Sequence, residues 1–181
     1  AARARMENLA RGETAARQFA SLIQDILISD FAISSDYLES TYEQIHCGDL
    51  RFVDDGRCAE VKLDDRCYGG QNSTGRLSIE LAERRQNSGP WIPSGIFAIS
   101  CASEYFQGNA SAAWWFQRQI LIEEARKHGI TPEIASKQAI PDSFHFRIQE
   151  SHGTVRKFYV SIREADRLGD RIIGTTQVRL F

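Results

Sequence analysis

The sequence predicts an α/β fold, and three observations predict it. Apolar residues recur at helical spacing near the start. They alternate at strand spacing on both sides of an Asp-Gly turn, and alternate again in two late runs. Helix, strands, helix, strands is the order of a mixed central sheet flanked by helices. The 181 residues suit one domain with a substantial core.

Ala16, Phe19, Ala20, Ile23 and Leu27 fall three and four apart, which predicts an amphipathic helix over 12–31. Residues 33–46 fit either a second helix or a strand after a loop. Asp55-Gly56 between two alternating runs predicts a hairpin over 48–63. A polar loop follows over 64–74. Leu77, Ile79 and Leu81 then share one face of a strand, and Gly89, Pro90 and Pro93 mark a loop over 84–93. The run 95–101 is apolar on both faces and reads as a central strand. A helix is expected over 109–128, with Gly129 as its stop. Strands are expected over 144–148 and 157–162 around a turn at Ser151-His152-Gly153, then a short helix over 164–168.

Lys and Arg number 22 and Asp and Glu 24, for a net charge of −2 and a pI near 6.1. That balance counts against a protein that coats nucleic acid by neutralising phosphates. It leaves room for a nuclease, whose metal ion brings positive charge into an acidic site. No apolar run approaches membrane-span length and the first 13 residues carry no signal-type segment, so a cytoplasmic location without membrane contact is expected. Cys47, Cys58, Cys67 and Cys101 form no CxxC or regular framework, and free buried thiols are expected. A zinc site at His46 and Cys47 lacks its second ligand pair.

The hairpin carries the chemistry. If Asp55-Gly56 is a two-residue loop, Arg51 faces Glu60 and Asp49 faces Lys62. Strand alternation then puts Asp49, Arg51, Glu60 and Lys62 on one face, and Leu50, Phe52, Ala59, Val61 and Leu63 on the other. A three-residue loop would break this parity, and a four-residue loop would restore it. Two carboxylates at cross-strand reach, with the Val61 carbonyl, could hold Mg²⁺ or Mn²⁺. Lys62 could orient the attacking water or stabilise the transition state. The competing reading is a solvated face laced with ion pairs.

Gly48-Asp49 followed by Glu60-Val61-Lys62 resembles the signature of the PD-(D/E)XK nuclease superfamily. Thr74-Gly75-Arg76, the strand ending in Ile79-Glu80, and Pro93-Ser94-Gly95-Ile96 resemble the continuation in some bacterial and phage members. Arg76 and the Cys101-to-Tyr105 stretch depart from it. The resemblance covers about 12–106 and leaves 107–181 as an elaboration of the same domain. It implies a restriction-endonuclease-like fold and Mg²⁺- or Mn²⁺-dependent hydrolysis of phosphodiester bonds, with DNA as the expected substrate. It also implies catalytic roles for Asp49, Glu60 and Lys62, and a further acid at Glu13 on the preceding helix or at Glu80. A homodimer or larger assembly is compatible with it. The rival expectation is a catalytically silent nuclease-like fold that binds nucleic acid or protein.

Other residues carry weaker readings. Trp114 and Trp115, on a helix, would divide between core and surface. His145 reads as a structural or surface histidine, His46 could approach Asp49, and Asp64-Asp65-Arg66 reads as a solvated loop.

Overall fold

The computed structural model describes residues 2–174. Ten strands fall in chain order: β1 (Ser35–Tyr37), β2 (Leu50–Phe52), β3 (Cys58–Leu63), β4 (Arg76–Glu83), β5 (Ile92–Pro93), β6 (Ala102–Gly108), β7 (Ala113–Gln117), β8 (Ile148–Ser151), β9 (Val155–Ser161) and β10 (Asp170–Ile173). The α-helices are α1 (Ala2–Phe31), α2 (Thr41–Cys47), α3 (Arg118–Lys127), α4 (Pro132–Ala135) and α5 (Ile162–Leu168).

A six-stranded sheet runs β1-β2-β3-β6-β7-β10 and a four-stranded sheet runs β5-β4-β9-β8. The larger sheet is mixed, because β3 and β6 are parallel while its other neighbours are antiparallel. The expected α/β class with a mixed central sheet and flanking helices is therefore present. Helix α1 covers one face, where Phe19, Ile23 and Leu27 meet Leu50, Phe52, Ala59 and Phe106. The other face buries Tyr105, Trp114 and Phe116 with Leu77, Ile79 and Leu81 of β4, Leu121 of α3 and Ala165 of α5. No helix among the described residues is long and apolar enough to cross a membrane.

Three local expectations are corrected. The strand over 95–101 is instead a 3₁₀ turn (Gly95–Phe97) and bends, and the strand begins at Ala102. The cause is Arg118. Its guanidinium donates to the carbonyls of Ile96 (2.8 Å), Ser100 (3.0 Å), Ala102 (3.1 Å) and Ala98, so the segment wraps a cation instead of pairing with a strand.

The helix expected over 109–128 begins only at Arg118, because residues 113–117 form β7 against β6. Strand alternation sends Trp114 into the core between the sheets and Trp115 towards α1, where it meets Phe31 at 5.2 Å. The strand over 144–148 likewise begins only at Ile148, after a 3₁₀ turn at Asp142–Phe144, and His145 is exposed and bonded to the Ile140 carbonyl.

The cysteine expectation also changes. Cys47 and Cys58 form a disulfide with a Cα–Cα distance of 5.0 Å, while Cys67 is a buried free thiol and Cys101 an exposed one. The helix end and strand start that carry the pair meet through the fold, and nothing in their spacing announces it. A formed bridge is uncommon in a reducing cytosol.

Candidate metal and catalytic site

The hairpin closes through residues 53–56, not through two residues. Leu50 pairs with Ala59 and Arg51 with Cys58, and Phe52 N–H donates to the Arg57 carbonyl. The register therefore moves by two from the one the shortest turn implies, and the alternation survives. Asp49 comes beside Glu60, while Arg51 pairs with Cys58 and makes a 3.7 Å contact to Glu43.

Strand β2 begins at Leu50, so β3 runs past its partner. Asp49 completes the missing edge. Its backbone N–H donates to the Ala59 carbonyl (2.8 Å), and its Oδ2 accepts from the Val61 N–H (2.8 Å) where a strand would otherwise pair. Gly48 makes this approach possible. At its φ of +102°, an added Cβ would lie 2.6 Å from the Ala59 oxygen and 2.7 Å from Glu60 Oε2. The absent side chain lets the Gly48 backbone pack directly against Ala59 and the Glu60 carboxylate.

Lys62 Nζ sits 3.1 Å from Glu60 Oε1, with side-chain exposures of only 33% and 21%. That burial argues against a plain solvated face. Burial raises the Asp49 carboxyl above its ordinary value, against the Val61 hydrogen bond and the charge of Lys62. Burial also raises Glu60; Lys62 opposes this, while the charges of Asp49 and Glu80 add to it. Burial pulls Lys62 down, but Glu60, Tyr105 and Glu80 outweigh it and hold the ammonium above its usual range. The cluster is thus two crowded acids served by one close cation.

Glu80 of β4 is half-buried, and its charge reaches Glu60, Lys62 and Tyr105. Gly95 holds that strand close, since a Cβ there would lie 2.2 Å from the Glu80 carbonyl oxygen. Glu13 is one residue beyond Gly12 on α1. It is exposed on α1, while Gly12, Ala15 and Ala16 of that helix line a cleft of about 450 Å³ with Asp49, Val61 and Lys62. His46 is exposed and stacks 4.3 Å from Tyr42.

Asp64 is not a solvated loop acid. Its Oδ2 accepts from Ser78 N–H (2.8 Å) and Gln107 Nε2 (2.9 Å), clamping the end of β3 to β4 and β6.

Two neighbours of the site escaped the sequence reading. Tyr105 pairs with Glu60 across the β3–β6 ladder, and its buried hydroxyl has no hydrogen-bond partner among the described residues. Burial keeps that hydroxyl protonated well above its ordinary range. Arg118 lies near enough to feel the charge of Glu60. The signal for Tyr105 was its place two residues before Gln107 in a β6 that parallels β3; a misplaced strand hid it.

Among the described residues, no group of three or more His, Cys, Asp or Glu side chains is arranged to hold a metal ion. The donor set is two carboxylates and the Val61 carbonyl. All are hard oxygens, and Mg²⁺ commonly takes one or two carboxylates and completes its shell with water and substrate. By the chemistry of their donors, these residues fit a small divalent cation. Comparison with protein-family models, with curated proteins and with solved structures returned no match.

Proposed function

We propose that the chain is a metal-dependent nuclease of the PD-(D/E)XK kind, with a restriction-endonuclease-like core, that hydrolyses phosphodiester bonds, with DNA as the substrate the sequence resemblance favours. The observation that carries this reading is the meeting of Asp49, Glu60 and Lys62 at the open edge of β3, with both carboxylates crowded and half-buried. Solvated ion pairs need no such crowding, whereas a cation site does, because the ion repays the cost of bringing two acids together.

Asp49 and Glu60 would hold Mg²⁺ or Mn²⁺, with the Val61 carbonyl as a further ligand and Glu80 behind them. The bound ion would supply an acidified water and offset charge on the phosphate. Lys62 stays protonated, so it serves as a positive hydrogen-bond donor to water or phosphate oxygen and not as a base. Asp49 accepts from the Val61 N–H through Oδ2 and lines the cleft.

A silent nuclease-like module is the second reading. The small acid set favours it, since no three His, Cys, Asp or Glu side chains among the described residues gather to hold a metal. Cleavage of supercoiled plasmid and single-stranded oligonucleotides in Mg²⁺, Mn²⁺ or EDTA separates the two. The nuclease reading expects cleavage only with metal, reduced at least about 100-fold in Glu60→Ala and Lys62→Ala. Activity that survives both substitutions, or no activity with either metal, contradicts it.

A further inference from the structure

Three of the four cysteines meet beside the candidate site. Cys101, an exposed free thiol, donates its backbone N–H to the carbonyl of His46 (2.7 Å), the residue before Cys47. Ala102, the residue after Cys101, pairs with Cys58 at the start of the β3–β6 ladder. Cys101 is therefore bonded to the residue before Cys47 and is next in the chain to the strand partner of Cys58, the two halves of the bridge. Neighbouring strands lie about 5 Å apart and residues rise about 3.3 Å along them, so the Cα of Cys101, one step from the partner of Cys58, lies about 6 Å from that of Cys58, within the about 4.4–6.8 Å that a disulfide spans. The Arg118 guanidinium binds the carbonyls on both sides of Cys101, at Ser100 and Ala102, and sets a fixed positive charge next to this thiol. Cys67 is buried apart from the three, against the Ala112 carbonyl.

We propose that Cys101 and the Cys47–Cys58 bridge form a thiol–disulfide exchange site, in which the bridge moves to Cys58–Cys101 and Cys47 is released. Cys101 gives its proton to solvent, and its sulfur attacks Cys58 Sγ. The Cys58–Cys101 bond forms as the Cys47–Cys58 bond breaks, and Cys47 leaves as a thiolate that takes a proton from solvent. One disulfide and one thiol stand on each side, so no oxidant is consumed. The move frees the end of α2 from β3. Asp49, two residues beyond Cys47, then loses the covalent staple and keeps its bonds to Ala59 and Val61. What this does to cleavage rests on the function proposed above; the exchange itself does not.

The test equilibrates the full-length chain in a series of reduced and oxidised glutathione mixtures. Acid quenching, alkylation and mass-spectrometric mapping of the bridges follow. The expected result is a Cys58–Cys101 peptide with alkylated Cys47 in the wild type, both absent from Cys101→Ser, which retains Cys47–Cys58. Since Cys101 is exposed, the serine variant keeps the fold. A Cys47–Cys101 bridge, or Cys47–Cys58 alone with Cys101 fully alkylated across the series, overturns the proposal. The mapping is read without any cleavage assay, so loss of the nuclease reading would leave it standing.

Discussion

Asp49 and Glu60 are held where a carboxylate is poorly accommodated, and this has a measurable sign. Burial raises both folded-state values above their unfolded ones, so the folded chain binds these protons more tightly than the unfolded chain. Their contribution to stability is full below the unfolded value, about 4 for such groups, and is lost as pH rises through the folded value. Asp49→Asn keeps an acceptor for the Val61 N–H and removes the charge. In EDTA it should raise the melting temperature by about 2–4 °C at pH 7, with the gap to wild type closing towards pH 4. A variant less stable than wild type at pH 7 would show that the carboxylate is not strained. At this scale the sequence was legible where chemistry follows from residue type. Asp, Glu and Lys at alternating positions were readable, and the wrong loop length did no harm because it erred by two residues and preserved parity. Tyr105 and Asp64 were not readable, because their roles depend on which strands become neighbours.

At the scale of elements, pattern succeeded where one face is buried and failed where a buried charge or a strand of aromatics intervened. The helix through Leu27, the hairpin, the strand through Leu77 and Leu81, and the Gly129 stop follow apolar periodicity and turn chemistry. The segment 95–101 looked like a buried strand because Ile96 and Phe97 are buried, but its carbonyls are spoken for by Arg118. Side-chain capture of backbone groups by a residue 16 to 22 positions away leaves no local trace. Arg118→Met should therefore cost at least about 3 kcal/mol, since several carbonyls lose a charged donor together. Urea unfolding checks this; a change below about 1 kcal/mol would mean the segment holds its shape without the guanidinium.

The whole molecule is an asymmetric sandwich. Helix α1 covers one face of the mixed sheet, and the second sheet with α3 and α5 covers the other. The second sheet was not legible, because it joins β4 to β9 across more than 70 residues and only tertiary pairing reveals it. The segment from residue 107 on, read from sequence as an elaboration, supplies β7 and β10 to the larger sheet and β8 and β9 to the smaller one within the described residues. The start of α1 behaves differently. Met6 and Leu9 are 71% and 61% exposed, and burial begins at Phe19. Met6→Gln with Leu9→Gln should shift the melting temperature by less than about 2 °C; a larger loss would show that these exposed side chains support the domain.

What this architecture delivers is one edge of β3 where two acids, a lysine and a cleft coincide. The central claim is that Asp49 and Glu60 together make one divalent-cation site. Calorimetric titration of the metal-free chain with Mn²⁺ tests it most directly, beside Asp49→Asn and Glu60→Gln. One Mn²⁺ bound per wild-type chain is expected, with affinity reduced at least about tenfold in each variant. No binding by the wild type, or equal binding by all three, would contradict it.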